Sequence, residues 1–261
     1  MFRALSSAAT GMSAQELRVS VISNNLANVN TTGFKKSRAE FQDLLYDKIV
    51  TSGNLTSDQT RAPVGIEIGQ GVRTSGTVRE FSLGDLRETG HNLDLAIDGD
   101  GLFQIQLPDG RMAYTRDGAF KMSPEGQLVN NDGYALEPSI VLPSLTNRLQ
   151  ISKDGTVSAT TSGSTEVREV AKIQIVNFMN PSGLETMGGN LFLQSPASGE
   201  PIVTNAGQEG TGFILAGYVE SSNVKVIEEM VNMISAQRAY ETNSRIIKAA
   251  DEMMRTTTQL K

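Results

Sequence analysis

The chain has 261 residues, a formal net charge of −6, and neither cysteine nor tryptophan. That length fits one or two domains with room for a sizeable core. The acidic balance argues against a broad basic surface for nucleic acid, and the absence of cysteine excludes disulfides, Cys-ligated zinc and thiol nucleophiles.

Residues 1–30, MFRALSSAATGMSAQELRVSVISNNLANVN, read as an amphipathic helix. Phe2, Leu5, Ala9, Met12, Val19 and Leu26 keep a/d spacing, while Ala8, Ile22 and Val29 widen the face. Asn28, Asn30 and Gly33 close it, the asparagines by competing for backbone groups and the glycine by accepting a positive φ. Lys35, Lys36 and Arg38 read as a solvated basic face. Residues 39–50, AEFQDLLYDKIV, are expected to form a short helix through Phe41, Leu44, Leu45 and Ile49. Residues 51–76 are polar and rich in Gly and Thr, which suggests an extended arm with a strand around Ile66–Ile68. The sequon matches at Asn30 and Asn54 are assigned nothing.

From about Val78 the hydrophobic period changes to two. Expected strands are 78–83, 93–97, 102–107, 112–116, 119–122, 127–129, 134–137, 149–152, 156–159, 172–178, 191–193 and 213–219. Asp109-Gly110, Asp117-Gly118, Glu125-Gly126 and Asp132-Gly133 separate several of them, as in an antiparallel meander with tight turns. Pro143, Pro181, Pro196 and Pro201 punctuate later connections.

Residues 223–261 return to helical spacing, with no Gly or Pro. Val226, Met233, Tyr240, Ile247 and Met254 recur at steps of seven, with Ala236 and Ala250 between them. Asn223 is the expected N-cap, and Glu228 and Glu229 suit the positive end of the helix dipole. Met230, Ile234, Ile227 and Val231 broaden the apolar arc to roughly 160°, more than a two-stranded seam uses. The expected fold is therefore α+β. Discontinuous N- and C-terminal helices (1–30 and 223–261) pair as a coiled coil. A connecting region (31–77 and 205–222) carries an arm at about 46–72, and an all-β domain (78–204) is inserted between the helices.

No catalytic constellation emerges. His91, the one histidine, reads as a polar turn residue without a nucleophile elbow to serve. Asp98-Gly99-Asp100-Gly101 departs from the EF-hand pattern at Leu102, and Gly65, Gly69 and Gly71 lack the Lys-Ser/Thr of a phosphate loop. The methionines of the last helix sit at seam spacing and read as packing. No cofactor or metal is expected. No apolar run approaches the ~18 residues of a membrane span, and 4–21 is too broken by Ser6, Ser7, Gln15, Glu16 and Arg18 for a signal peptide.

Three stretches together resemble the bacterial flagellar rod and hook protein family. SNNLANVNTTGFKKSRAEF (23–41) resembles its N-terminal signature, with Asn24, Asn25, Leu26, Ala27, Asn28, Gly33 and Phe34 as the signature positions. GYVESSNVKVIEEMVNMISAQRAYETNSRIIKAADEMM (217–254) resembles its C-terminal signature, and LAIDGDGLFQIQLPDGRMAYTRDGAFKMSPEGQLVNNDGYAL (95–136) its middle domain. The chain length, DLLYDKI (43–49) and APVGIEIGQGV (62–72) point to the distal part of the rod, rather than the proximal rod or the longer hook protein.

The resemblance implies a structural subunit, not an enzyme, that polymerises into a rigid helical tube around a central export channel and transmits torque from motor to hook. It implies assembly seams at Leu5, Met12, Val19, Ile22 and Leu26 of the first helix. On the last helix they fall at Val226, Met230, Met233, Ile234, Tyr240, Ile247 and Met254. An inter-subunit arm carries Tyr46, Pro63, Gly65, Gly69 and Gly71. The implied partners are further copies, proximal rod proteins, the hook protein, the bushing rings of the outer envelope and the flagellar export apparatus. The implied place is the basal body in the periplasm, reached without a cleaved signal. Beyond another axial flagellar protein, two other readings make different demands. A secreted β-rich binding module would form a discrete oligomer, and a hydrolase would need a concave pocket with perturbed acids.

Overall fold

The computed structural model describes residues 2–51, 55–57, 60–61, 64–142, 146–161, 167–208 and 210–259. Helices stand at both ends, α1 (Phe2–Ala27) and α2 (Val226–Gln259), with β-structure between them. The 34 residues of α2 span about 50 Å. After α1 the backbone N–H and the hydroxyl of Thr31 bind Asn28 O (3.1 Å) and Asn28 Oδ1 (3.2 Å), and Gly33 takes φ 66°. Asn223 does not cap α2. Its Oδ1 accepts from Lys36 N at 2.7 Å and its Nδ2 donates to Glu80 O at 2.8 Å. Its amide is thus committed to the strand-side backbone, and α2 begins three residues later, where Glu229 N donates to Lys225 O.

Contacts divide the chain into two compact units: 1–26, 37–78 and 225–261 in the first, 27–36 and 79–224 in the second. The connecting region expected at 31–77 and 205–222 is shared between them.

The first unit holds α1, α2 and a ribbon that leaves through β1 (Ser37–Asp43), β2 (Tyr46–Val50) and β3 (Leu55–Ser57). It returns through β4 (Thr60–Arg61), β5 (Ile66–Gly69) and β6 (Val72–Arg79). The pairing is nested, β3 with β4, β2 with β5 and β1 with β6. The short helix expected over 39–50 is therefore absent. Its apolar residues are too sparse to bury a helical face, and cross-strand pairing with β5 and β6 satisfies the same backbone. The ribbon base lies on α1. Val72 N donates to Thr10 Oγ1 at 3.4 Å, and Gly71, at φ 116°, sits where a Cβ would come within 2.3 Å of Thr10 Oγ1. Arg3 pairs with Asp47.

The second unit begins with β7 (Leu86–Glu88), β8 (Leu95–Asp98), β9 (Leu102–Gln106), β10 (Met112–Thr115), β11 (Lys121–Met122), β12 (Leu128–Val129) and β13 (Ala135–Glu137). It continues through β14 (Thr146–Ile151), β15 (Thr156–Thr161), β16 (Val167–Lys172), β17 (Gln174–Asn177), β18 (Glu185–Gly188), β19 (Leu191–Leu193), β20 (Ile202–Asn205), β21 (Phe213–Ala216) and β22 (Tyr218–Glu220). Strand β9 is central, with β10 on one edge and β13 and β17 sharing the other. Its alternation splits the core. Phe103 and Ile105 join Leu95, Leu136, Ile173, Ile175 and Ile214, while Leu102 packs with Tyr114, Val176, Phe178 and Phe192.

The expected meander breaks at Asp117-Gly118. Gly118 makes no hairpin; its oxygen accepts from Leu95 N, and a Cβ there would lie 1.6 Å from Leu95 O. Strand β10 consequently pairs with β19, not β11. The expected strand at 78–83 ends at Arg79, and the one at 213–219 is split by Gly217 at φ 83°. Its halves pair separately, β21 with β8 and β22 with β7.

Candidate assembly interface

In the second unit, the loop after α1 is seated by a buried ion cluster. Lys35 Nζ donates to Glu220 Oε1 and to Ser82 O, both at 2.6 Å, and Lys35 is 0% exposed. The other Glu220 oxygen accepts from Arg116 Nε. Arg116 also donates to the carbonyls of Ile97 (2.9 Å), Gly99 and Gly101. Gly84 N completes the carboxylate shell at 2.8 Å. Burial lowers the pKa of Lys35 from its ordinary value, opposed by the Glu220 charge. The basic cluster expected at Lys35, Lys36 and Arg38 is thus not one solvated face. Lys35 is buried, Lys36 pairs with Glu80 at 3.2 Å, and only Arg38 is an exposed cation, beside Glu40. Asp98-Gly99-Asp100-Gly101 is a turn, as expected, and its carbonyls cradle the Arg116 guanidinium.

Thr32 and Asn190 build a second, polar seat. Thr32 Oγ1 donates to Asp117 Oδ1 at 2.9 Å, and Asn190 Nδ2 donates to Thr32 O at 2.9 Å. Burial pushes the Asp117 carboxyl up; bonds from Ala119 N–H and Thr32 oppose this, while Asp94 and Asp132 add to it. Gly33 lies so close that a Cβ would be 2.5 Å from Asp117 N.

In the first unit, the buried Asn25 side chain joins three elements. Its Oδ1 accepts from Ser37 N at 2.9 Å, and its Nδ2 donates to Ser37 O at 2.9 Å and to Glu229 Oε2 at 3.2 Å. A Cβ on Gly11 would stand 2.8 Å from Asn243 Nδ2. Position 25 thus meets 229 and position 11 meets 243, so α1 and α2 run antiparallel. Apart from Ile22, the buried residues along them are small or polar: Ala8, Ala14 and Asn25 on α1, and Glu229, Ala236 and Ala250 on α2. The α2 line 229, 236, 243 and 250 also steps by seven, but lies about 60° round the helix from Val226, Met233, Tyr240, Ile247 and Met254.

Of the expected seam residues, Leu5, Met12, Val19 and Leu26 are half-buried and Ile22 is buried. Met233, Ile247 and Met254 are half-buried. Val226, Met230, Ile234 and Tyr240 are exposed. With Ile227 (80% exposed), Val231 (58%) and Met253 they leave α2 lined with open apolar surface. Of the signature residues, Asn25, Gly33 and Phe34 are buried, Leu26 and Asn28 partly so. On the ribbon Tyr46 is exposed and faces Gly69, Gly65 and Gly71 are half-buried, and Pro63 lies outside the described residues. Leu45, Tyr46, Ile49, Val64 and Ile66 are all more than half exposed.

Among the described residues no group of three or more His, Cys, Asp or Glu is placed to hold a metal ion. Among the same residues no helix is long and apolar enough to cross a membrane. Sequence reasoning missed Glu220, Arg116, Asp117 and Asn190. Each stands in an ordinary turn or strand-end context, and its partner lies 75 or more residues away, so no local pattern marks it.

Replacing Glu220 by Gln removes the one anion between two buried cations. Equilibrium unfolding should show a loss of about 3–5 kcal/mol; an unchanged midpoint would show the cluster to be neutral for stability. Asp117 has a raised folded-state pKa, so its contribution is fully present below 3.8 and is lost as pH rises through the folded value. Asp117→Asn retains an oxygen acceptor and should remove that slope. Its stability relative to the parent should therefore increase from pH 3.5 towards neutrality, and parallel pH profiles would contradict this.

Three family models match the chain. The Flagella basal body rod protein model covers residues 5–35, the Flagellar hook protein FlgE/F/G D1 domain covers 96–159, and the Flagellar basal body rod FlgEFG protein C-terminal covers 215–260. The "Flagellar basal-body rod protein FlgG" of Buchnera aphidicola subsp. Baizongia pistaciae is 47% identical over 97% of this chain and 98% of its own. That of Caulobacter vibrioides is 45% identical over 99% of each. A crystal structure of the Helicobacter pylori flagellar hook protein FlgE2 overlays 71% of this chain and 43% of its own, at 17% identity and a TM-score of 0.26, too low for a fold comparison. With near-complete coverage at this identity, the chain belongs to the flagellar basal-body rod protein family, as a structural subunit of the distal rod.

Proposed function

We propose that copies of this chain polymerise through α1 and α2 into a rigid helical tube that carries torque from motor to hook and leaves a central channel for export. The observation carrying this reading is the open apolar surface of α2. Val226, Ile227, Met230, Val231, Ile234, Tyr240, Ile246 and Met253 are each at least 40% exposed. Val226, Ile227, Met230, Val231 and Ile234 share one arc of roughly 140° on the first turns of α2; exposed apolar surface of that kind marks an interaction site, and helices gain most of their stability from packing. The antiparallel α1–α2 contact supports their pairing as a coiled coil. Its narrow line of small and polar residues leaves the wider apolar face for other copies.

The ribbon over 46–72 serves as an arm to a neighbouring copy. Its exposed Leu45, Tyr46, Ile49, Val64 and Ile66 support this, since a two-stranded ribbon is marginal in water on its own. The remaining partners are the proximal rod, the hook protein, the surrounding rings and the export apparatus, with the subunit placed in the basal body.

Ile234→Glu places a charge in the proposed contact. Purified subunit should keep its circular dichroism and melting behaviour but lose sedimentable polymer. Polymer formation at the parental concentration would sink this reading. Deleting 46–72 should leave a folded subunit whose polymers are bent or softer by electron microscopy, whereas straight, equally stiff polymers would rule out the arm.

A further inference from the structure

Arg79, at the end of β6, is a cation that forms no ion pair among the described residues. Its guanidinium carbon lies 5.8 Å from the ring centre of Phe34 and 5.3 Å from that of Phe192. Both rings are buried, and Phe81 meets Phe192 edge-on at 5.2 Å, so the aromatic bed is fixed. The Arg79 carbonyl accepts from Ser182 Oγ at 3.1 Å, which holds the backbone. Among the described residues nothing accepts a hydrogen bond from the guanidinium, and the neighbouring Glu80 is engaged by Lys36. The other half-buried or buried cations of this region, Lys35, Lys36 and Arg116, are all paired.

Contact with the rings occupies the face of a guanidinium and leaves its edge, a planar fork of N–H donors, for a carboxylate. Burial lowers the Arg79 pKa from its ordinary value, the mark of a cation stripped of part of its water. Such a donor set is costly to leave unmet and favours an acceptor that brings its own charge.

We propose that Arg79 is a receptor for a carboxylate side chain from a second copy of this chain, held two-pronged at the edge of the guanidinium while Phe34 and Phe192 fix its plane. The proposal rests on the polymer reading above. A second copy is the fitting donor because the chain is acidic, with 29 Asp and Glu against 23 Lys and Arg, and carries exposed carboxylates, such as Glu185 and Glu200, that form no ion pair among the described residues. The contact would add an orientation-specific lock at the aromatic bed, outside the apolar helix surface.

The test compares polymerisation of full-length parent, Arg79→Gln and Arg79→Lys. Arg79→Gln should raise the critical concentration about tenfold, the effect of one charge-assisted contact, with subunit melting unchanged. Arg79→Lys keeps a cation over the rings but loses the fork, and should fall between the two. The difference between parent and Arg79→Gln should shrink in 1 M salt, where the screening length is about 3 Å. If Arg79→Gln melts early, Arg79→Lys decides, and a stable lysine variant with a raised critical concentration supports the proposal. Variants that assemble at the parental concentration overturn it, as does a lysine variant whose only defect is early melting. A parent chain that forms no polymer overturns instead the assembly reading on which the proposal depends.

Discussion

One carboxylate between two cations decides how the second unit closes. Glu220 is 1% exposed and binds Lys35 and Arg116 at once. Ions are buried only when their charge and hydrogen bonds are met, and these three come from stretches far apart in sequence. The cluster carries a net charge of +1, and carbonyl dipoles supply the remainder: Ser82 at the lysine, Ile97, Gly99 and Gly101 at the arginine. The glycines at 99 and 101 have φ of 123° and 132°, a backbone that side chains resist and that turns alternate oxygens towards one guanidinium. The loop 27–36 thereby becomes part of a β-unit although it follows a helix directly.

The α-helices show a different economy. Ala8, Ala14, Ala236 and Ala250 are buried, with Gly11 close against Asn243, while bulky Ile227, Val231 and Ile234 stay open. Small residues let two helices approach closely but bury little apolar area, and stabilisation scales at roughly 25 cal/mol per Å². Asn25 and Glu229 add a polar tie whose value is register more than energy, since a lone polar pair in a helix contact penalises shifted alignments. An intrachain contact that is specific but weak, beside a wide unoccupied apolar surface, is what a subunit needs if its main helix contacts belong to other copies.

Much of this was legible from residue spacing, and the failures have physical causes. Both helices, the switch to a period of two near Val78 and most strand centres follow from hydrophobic alternation, which reports burial directly. The turns at Gly110, Gly126 and Gly133 were equally readable, all with positive φ. Asp117-Gly118 looks the same in sequence but serves a close backbone crossing, because glycine answers both demands and only the position of Leu95 tells them apart. Residues 39–50 read as helix in sequence but form strands, because local periodicity carries no information about a partner strand at 66–79. The seven-residue step on α2 was real, yet two lines 60° apart share it, one of bulky residues and one of small ones. Hydrophobicity selects the first, whereas close packing against α1 uses the second. Lys35 shows the same limit for charge, since composition alone gives no warning that Glu220 will lie against it.

The ribbon raises a question of rigidity that its own bonds do not answer. Nested pairing of β1–β6, β2–β5 and β3–β4 gives a long, narrow element with one ladder. Its base is fixed by Gly71 against Thr10 and by Arg3 with Asp47, but its apolar side chains at Leu45, Ile49 and Val64 remain open. A single ladder twists and bends easily, so the ribbon is a poor strut in isolation. Laid on a neighbour, the same element gains a second set of contacts along its length, and bending it would then require peeling apolar surface into water. In the polymer proposed above, stiffness would belong to the covered ribbon, and the open apolar side chains at Leu45, Ile49 and Val64 would be the surface that covering it buries.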